Sequence, residues 1–294
     1  MIVAVASGKG GTGKTTVSAS LVSAWRHPVT AVDLDVEEPN LHLFLNPVMA
    51  GSRTAYMDVP EVDLNRCNHC GACSSICQFK AISVFGEAIL SFPEMCHGCG
   101  ACLAVCPENA LRPGRRELGT IQWGTAGTAG FLMGELRVGE AMSPPLMRQV
   151  KHRLTERIAG TPTDVIIDAP PGVSCPAVNA VMDADVILLV TEPTPFGLYD
   201  LKLAVKAFAP LNRPMAVVVN RAGLGDTGVH DYCRAAQLAI IAEIPYDRAI
   251  AEAYARGKIP AVAFESLGSY FEGFSRDIRR WAKETDPERE ACHG

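Results

Sequence analysis

Residues 1–16 read MIVAVASGKGGTGKTT, and this stretch decides the architecture. Ile2 to Ala6 is a short apolar run, rich in β-branched side chains, that stops at Ser7 and a series of glycines. That pattern predicts a buried strand feeding a tight loop. Gly8, Gly10, Gly11 and Gly13, with Thr12 among them, let backbone N–H groups turn inward around phosphate oxygens. Lys14 neutralises those oxygens and Thr15 offers a hydroxyl to magnesium, with Thr16 beside it in the same contact set. Thr15 to Trp25 is expected to form a helix whose N-terminal dipole points at the same anion. The complete pattern G-x-x-x-x-G-K-T between strand and helix reads as a phosphate cradle, where a bare connecting turn would require neither the lysine nor the threonine.

A second lysine, Lys9, stands inside the loop. With it the stretch resembles the deviant Walker A motif of the MinD, ParA, Mrp and nitrogenase iron protein group of ATPases. The resemblance implies a P-loop NTPase of the α/β class, a doubly wound and mainly parallel sheet, binding ATP with Mg²⁺. It also implies that Lys9 reaches across a dimer interface to the partner's nucleotide. The assembly expected is a homodimer formed on ATP binding, or a heterodimer with a related ATPase.

Further motifs fall where such a fold needs them. Val29 to Leu34 is a second apolar run ending in Asp33 and Asp35, carboxylates at the ligand end of a parallel strand. By resemblance Asp35 orients or activates the attacking water and joins the magnesium site, while Asp33 supports the ion's water shell or the loop. Val165 to Asp168 is a buried strand leading into DAPPG, which by position makes Asp168 the Walker B carboxylate; by resemblance Gly172 brings its backbone N–H to the γ-phosphate. Met215 to Val219 ends at Asn220 and Arg221. An amide there both donates to and accepts from adenine, and the sequence NRAG lacks the aspartate of a guanine-reading N-K-x-D, so ATP is favoured over GTP. Pro245, Tyr246 and Asp247 resemble the other wall of the base pocket. The catalytic set is therefore Lys9, Lys14 and Asp35, and the magnesium set Thr15, Asp35 and Asp168.

Eight of the eleven cysteines lie between Cys67 and Cys106. Cys67, Cys70, Cys73 and Cys77 follow C-x-x-C-x-x-C-x-x-x-C, and Cys96, Cys99, Cys102 and Cys106 repeat it, the last before Pro107. Residues 63–112 thus look like a bacterial two-cluster ferredoxin, a small α+β insertion into the ATPase domain of residues 1–62 and 113–294. The resemblance implies two [4Fe–4S] clusters, with three ligands of each from one repeat and the fourth from the other. One cluster would take Cys67, Cys70, Cys73 and Cys106, the other Cys96, Cys99, Cys102 and Cys77. Zinc, which seeks four ligands per site, does not account for a third cysteine at x-x spacing twice. Gln78 departs from the proline usual after the fourth cysteine. His69 and His97 lie inside the ligand loops, read as solvated side chains able to tune a potential. Cys175, just beyond the DAPPG loop, reads as a small packing residue.

With 294 residues, 48% hydrophobic and 20% charged, the chain can bury a large core. Its net charge of −5 argues against non-specific nucleic-acid binding. No secretory signal or membrane-spanning run is seen, which suggests a cytoplasmic protein. Asn46 to Asn65 reads as a linker, Pro113 to Val138 as a hairpin, and Leu267 to Lys283 as a core-packing helix before a charged tail. The function implied is an ATPase whose ATP-dependent dimerisation gates electron transfer to, or metal-cofactor assembly on, a partner protein. The alternative is a positioning switch of the ParA or MinD kind whose clusters are structural. An ATP-dependent synthetase is a third possibility, for which no glutaminase domain is visible.

Overall fold

The computed structural model describes residues 1–285; most of the charged tail, with Cys292, lies outside them. The strands are β1 (Ile2–Ala6), β2 (Val29–Asp33), β3 (Val48–Val62), β4 (Ile82–Phe85), β5 (Ala88–Ser91), β6 (Leu111–Ala126), β7 (Ala129–Leu136), β8 (Asp164–Asp168), β9 (Val186–Thr191), β10 (Met215–Ala222) and β11 (Ala239–Pro245). The helices are α1 (Lys14–Ala24), α2 (Leu41–Leu45), α3 (Ala72–Ile76), α4 (Ala101–Ala104), α5 (Ser143–Ile158), α6 (Cys175–Val181), α7 (Pro195–Phe208), α8 (Gly228–Ala235), α9 (Arg248–Ala255), α10 (Pro260–Ala263) and α11 (Glu265–Thr285). The chain divides into two compact units.

The first unit comprises Met1–Ser52, Ile121–Glu135 and the described residues from Met147 onward. Within it the seven strands β11-β10-β9-β1-β8-β2-β7 lie side by side in that order and all pair parallel. Parallel strands need crossover helices on both faces, so they are buried on both sides and read as unbroken apolar runs. Every residue of β2, β8 and β9 is buried accordingly. The order reverses at β1, the strand that feeds the glycine loop, and ligands of open α/β sheets bind at such a switch point. Helix α11 turns Leu267, Phe271, Phe274 and Ile278 into the core on an i, i+4, i+7, i+11 stripe.

The second unit comprises Arg53–Thr120 and Leu136–Leu146, and so contains residues 63–112 together with strand segments on either side. It has its own small core of Cys73, Ile82, Cys102 and Leu111, with Val62, Val84 and Ile89 packed against them. A buried ion pair, Arg116 to Glu140 at 2.7 Å, ties β6 to the chain before α5, and Arg116 also donates to the carbonyl of Pro93.

The linker expected over Asn46 to Asn65 is instead strand β3. Ala55, Met57 and Val59 are buried while Tyr56 and Asp58 are exposed, the period-2 alternation of a strand with one covered face. Gly51 misleads there, because it marks close packing and no turn: a Cβ would lie 2.6 Å from the Trp123 ring.

Candidate nucleotide and cluster sites

The loop from Ser7 to Gly13 closes onto α1 with Gly11 and Gly13 left-handed at φ 81° and 89°, a region side chains rarely adopt. Gly8 is glycine for space: a Cβ would sit 2.2 Å from the Asp200 carbonyl oxygen. The amide of Asn220 donates to the Thr12 carbonyl at 2.8 Å, and its Oδ1 accepts from the Arg221 N–H at 3.0 Å. In this structure Asn220 therefore holds the loop. Arg221 pairs with Glu192 at 2.8 Å. The Thr12 hydroxyl is buried with no hydrogen-bond partner among the described residues.

Asp168, at the end of β8, gathers the cations and hydroxyls of the loop. Lys14 Nζ lies 3.3 Å from its Oδ1, Thr15 donates to Oδ2 at 2.7 Å, and Ser18 donates to Oδ1 at 2.9 Å. Ser18 carries no motif signal; one turn beyond Lys14 on α1, it reaches Asp168 only through the fold. Asp33 is the parallel-sheet neighbour of Asp168 and is fully buried. Its two oxygens accept from the N–H groups of Asp35 at 3.0 Å and Leu41 at 2.9 Å, so it fastens the loop after β2.

Three carboxylates thus face one ammonium. Burial pushes the Asp33 carboxyl well above the usual range, reinforced by Asp168. Burial also raises Asp35 to about 6, against the pull of Lys14. For Lys14 burial acts downward, but Asp168, Asp35 and Asp33 together hold its ammonium above the ordinary lysine value. A cluster of this kind favours an added divalent cation, which lowers all three carboxylates at once.

Lys9, Gly10, Gly11, Gly13, Lys14, Thr15, Thr16, Asp35, Asn220, Arg221 and Pro245 line one cleft of about 400 Å³. Gly8, Thr12, Asp168 and Gly172 support it from outside that lining. The Gly172 N–H donates to the Ser7 carbonyl at 2.9 Å, with φ 92°. Lys9 lies 3.7 Å from Asp200 and over the Phe196 ring. The apolar end of the cleft comes from Tyr246, Tyr254, Leu267 and Phe271. Tyr254 carries no motif signal, and Leu267 and Phe271 read simply as residues of the core-packing helix.

In the second unit the eight cysteines, none of them in a disulfide, divide between two cavities. Cys67, Cys70, Cys73 and Cys106 line one; Cys77, Cys96, Cys99 and Cys102 line the other. Among the described residues no group of three or more His, Cys, Asp or Glu converges closely enough to hold a single metal ion. Four thiolates on one zinc would stand roughly 3.8 Å apart, given Zn–S of about 2.3 Å. Two sets of four thiols are the donor chemistry that a cubane cluster takes. Left-handed Gly71 and Gly100 turn the chain into α3 and α4 after the second cysteine of each repeat. Backbone N–H groups reach sulfur at Cys77 from Ala81 (3.3 Å), at Cys96 from Gly98 (3.4 Å) and at Cys106 from Ala110 (3.2 Å). Burial raises the Cys73 and Cys102 thiols. At Cys77 the N–H groups of Ala81, Phe79, Ile82 and Lys80 outweigh burial and hold the thiol below its ordinary value. Cys175 is exposed at the start of α6.

A strand, a left-handed glycine loop, a lysine and a buried aspartate at a sheet switch point define a P-loop nucleotide-binding α/β protein. The chain belongs to the CobQ/CobB/MinD/ParA nucleotide binding domain family, which matches residues 3–261, and is thus of the MinD/ParA type of P-loop ATPase. Two uncharacterized proteins of Methanocaldococcus jannaschii are similar to it. One is 29% identical over 96% of this chain and 97% of its own, the other 34% identical over 77% and 80%. Among solved structures, the septum site-determining protein MinD from Pyrococcus horikoshii, complexed with Mg-ADP, has a TM-score of 0.61 at 20% identity. That likeness covers 98% of this chain and 99% of that one. The cell division ATPase MinD of Pyrococcus furiosus gives 0.57 at 23% identity, covering 95% and 98%. The MinC:MinD complex of Aquifex aeolicus gives 0.56 at 16%, covering 95% of each chain. At such identities the likeness shows the fold. No helix among the described residues is long and apolar enough to cross a membrane.

Proposed function

We propose that this chain is an ATP-hydrolysing switch carrying two [4Fe–4S] clusters in residues 63–112, whose ATP-dependent dimerisation gates electron transfer to, or metal-cofactor assembly on, a partner protein. The observation that carries this reading is the division of eight cysteines into two crossed sets of four around two cavities, on the same chain as a complete P-loop. The clusters would be held by Cys67, Cys70, Cys73 and Cys106, and by Cys77, Cys96, Cys99 and Cys102. When bound they supply one-electron storage.

At the nucleotide site Lys14 exchanges its bond with Asp168 for the β- and γ-phosphates. The Asp168 carboxylate and the Thr15 hydroxyl, so freed, would hold Mg²⁺ together with Asp35. Asp35 also orients the attacking water. The Gly172 N–H leaves the Ser7 carbonyl for the γ-phosphate, so the loop after β8 reports which nucleotide is present. Lys9 leaves Asp200 for the nucleotide of the second subunit, and Asn220, Arg221 and Pro245 border the base. The Mg-ADP bound by the Pyrococcus MinD supports this nucleotide class. The likeness to MinD along nearly the whole chain also favours a second reading, a positioning switch with structural clusters.

One experiment separates the two. Anaerobic protein with reduced clusters is mixed with candidate acceptors, with and without ATP turnover. Electron transfer that requires turnover supports gating; clusters that stay silent to nucleotide in potential, partner affinity and rate refute it and leave the positioning switch.

A further inference from the structure

Helix α9 starts directly after Pro245, Tyr246 and Asp247, and the Asp247 carboxylate caps it by accepting from the Ala249 N–H at 2.7 Å. Ile250, Ala251 and Tyr254 of that helix line the nucleotide cleft, where with Tyr246 and Phe271 they make its apolar end. The base is the apolar end of a nucleoside triphosphate, so a nucleotide whose phosphates lie on the glycine loop lays its base towards α9. Tyr254 is 46% exposed, and its ring also stacks on Phe44 of α2, with centroids 5.1 Å apart and planes 27° from parallel.

Helix α2 is the far end of the loop that carries Asp35. Leu41 and Phe44 bury one side of this five-residue helix while Leu43 faces outward. The near end of the loop is fixed at the sheet. Both oxygens of the buried Asp33 are taken, by the N–H groups of Asp35 at 3.0 Å and Leu41 at 2.9 Å, and the Asp35 carboxylate in turn accepts from the Glu38 N–H. Residues 35–41 therefore hang as one closed segment from a single carboxylate. A helix of five residues is too short to hold its place by its own hydrogen bonds. Beyond Leu41 it is α9 that steadies it, through the Phe44–Tyr254 stack and through Gly257, whose Cβ would lie 3.6 Å from the Leu43 carbonyl oxygen. All of these residues belong to the first unit.

We propose that Tyr254 is a positioning residue for hydrolysis: the base, seated against the exposed part of its ring, fixes the stack on Phe44 and with it the loop that presents Asp35 to the attacking water. The nucleoside thus activates the cleavage of its own phosphate. A ligand shifts a loop only by interacting differently with its two arrangements, and the base does so because the ring stacked on Phe44 is the one that borders the cleft. This deepens the ATP-hydrolysing reading above and rests on it.

The test is steady-state hydrolysis by the full chain of Mg-ATP and of magnesium tripolyphosphate, which offers the glycine loop its phosphates without a base. The proteins are the native chain, Tyr254→Phe and Tyr254→Ala. Misplacing a reacting group by about 1 Å costs up to about 100-fold, so native kcat for ATP should exceed that for tripolyphosphate by about tenfold or more. Tyr254→Ala should bring kcat for ATP down to that for tripolyphosphate and leave the tripolyphosphate rate unchanged, whatever happens to KM. Tyr254→Phe, which keeps the ring, should behave as the native chain. Hydrogen exchange reads the loop itself: with saturating Mg-ADP, the amides of residues 35–45 should exchange about tenfold faster in Tyr254→Ala than in the native chain. Equal native kcat for the two substrates, a change in KM alone, equal slowing of both substrates, Tyr254→Phe as slow as Tyr254→Ala, or unchanged exchange over residues 35–45 would overturn the coupling and leave the ATPase standing. A native chain that hydrolyses no ATP would overturn the ATPase reading, and the coupling with it.

Discussion

Cluster loss in cysteine variants should follow the cavities and ignore the order of the chain. Cys70→Ala/Cys73→Ala removes two of the four thiols lining the first cavity, one exposed and one buried. With two of four ligands gone a cubane is not retained there, so iron should fall from about eight to about four per chain. In that background Cys106→Ala deletes a thiol of the cavity already emptied, and the count should stay at about four. Cys77→Ala, although it belongs to the mutated repeat in sequence, takes a thiol from the second cavity. It should lower the count further, to about three if a three-iron cluster persists and towards zero if none does. The assay is iron and acid-labile sulfide on anaerobically purified protein, with the visible absorbance as an independent reading. If Cys106→Ala depletes the remaining cluster and Cys77→Ala does not, each repeat binds its own cluster and the argument from the cavities is refuted. Stoichiometric zinc in place of iron would refute it more completely.

Lys14→Ala should abolish tight ATP binding, whereas Lys9→Ala should leave monomer binding intact and weaken the ATP-bound dimer; calorimetry and size measurements with a slowly hydrolysed analogue check both. Gly8→Ala, whose Cβ would lie 2.2 Å from the Asp200 carbonyl oxygen, should displace the loop, cost about 1–3 kcal/mol in a denaturant melt and weaken nucleotide binding; an unchanged melt would show that the loop yields freely. Asp35→Asn should retain Mg²⁺ and ATP yet slow hydrolysis by ~100-fold. The same variant carries a stability prediction. With the folded carboxyl raised to about 6, the folded state binds its proton more tightly than the unfolded chain, so stability of the nucleotide-free protein is fullest below about pH 4 and falls as pH rises to 6. The whole shift would correspond to roughly 3 kcal/mol, and solvent screening of this half-buried group reduces it to about 1–2 kcal/mol. Asp35→Asn should therefore be the more stable protein at about pH 7.5, with the difference gone at about pH 3.5; equal stability at both pH values would contradict the burial cost assigned to Asp35.

What the chain determines locally could be read from it directly. Glycines that permit φ of 81° and 89°, a lysine and threonine at fixed offsets, and unbroken apolar runs all express backbone conformation within a few residues, which suffices for the strand, loop and first helix. Cysteine spacing likewise reveals two similar loops. Long-range approach decided the rest. Gly8 is glycine because a carbonyl of distant α7 presses on it, Asn220 grips the loop across 208 residues, and Ser18 finds Asp168 only when β1 and β8 lie side by side. Strand β3 was hidden because Gly51, Pro47 and Pro60 resemble punctuation, whereas its alternating burial exists only once a neighbouring surface covers one face. The stack of Tyr254 on Phe44 is of the same kind. Nothing near Phe44 in sequence indicates Tyr254, and a ring stack between α2 and α9 is fixed by the position of both backbones, which the tertiary fold alone supplies.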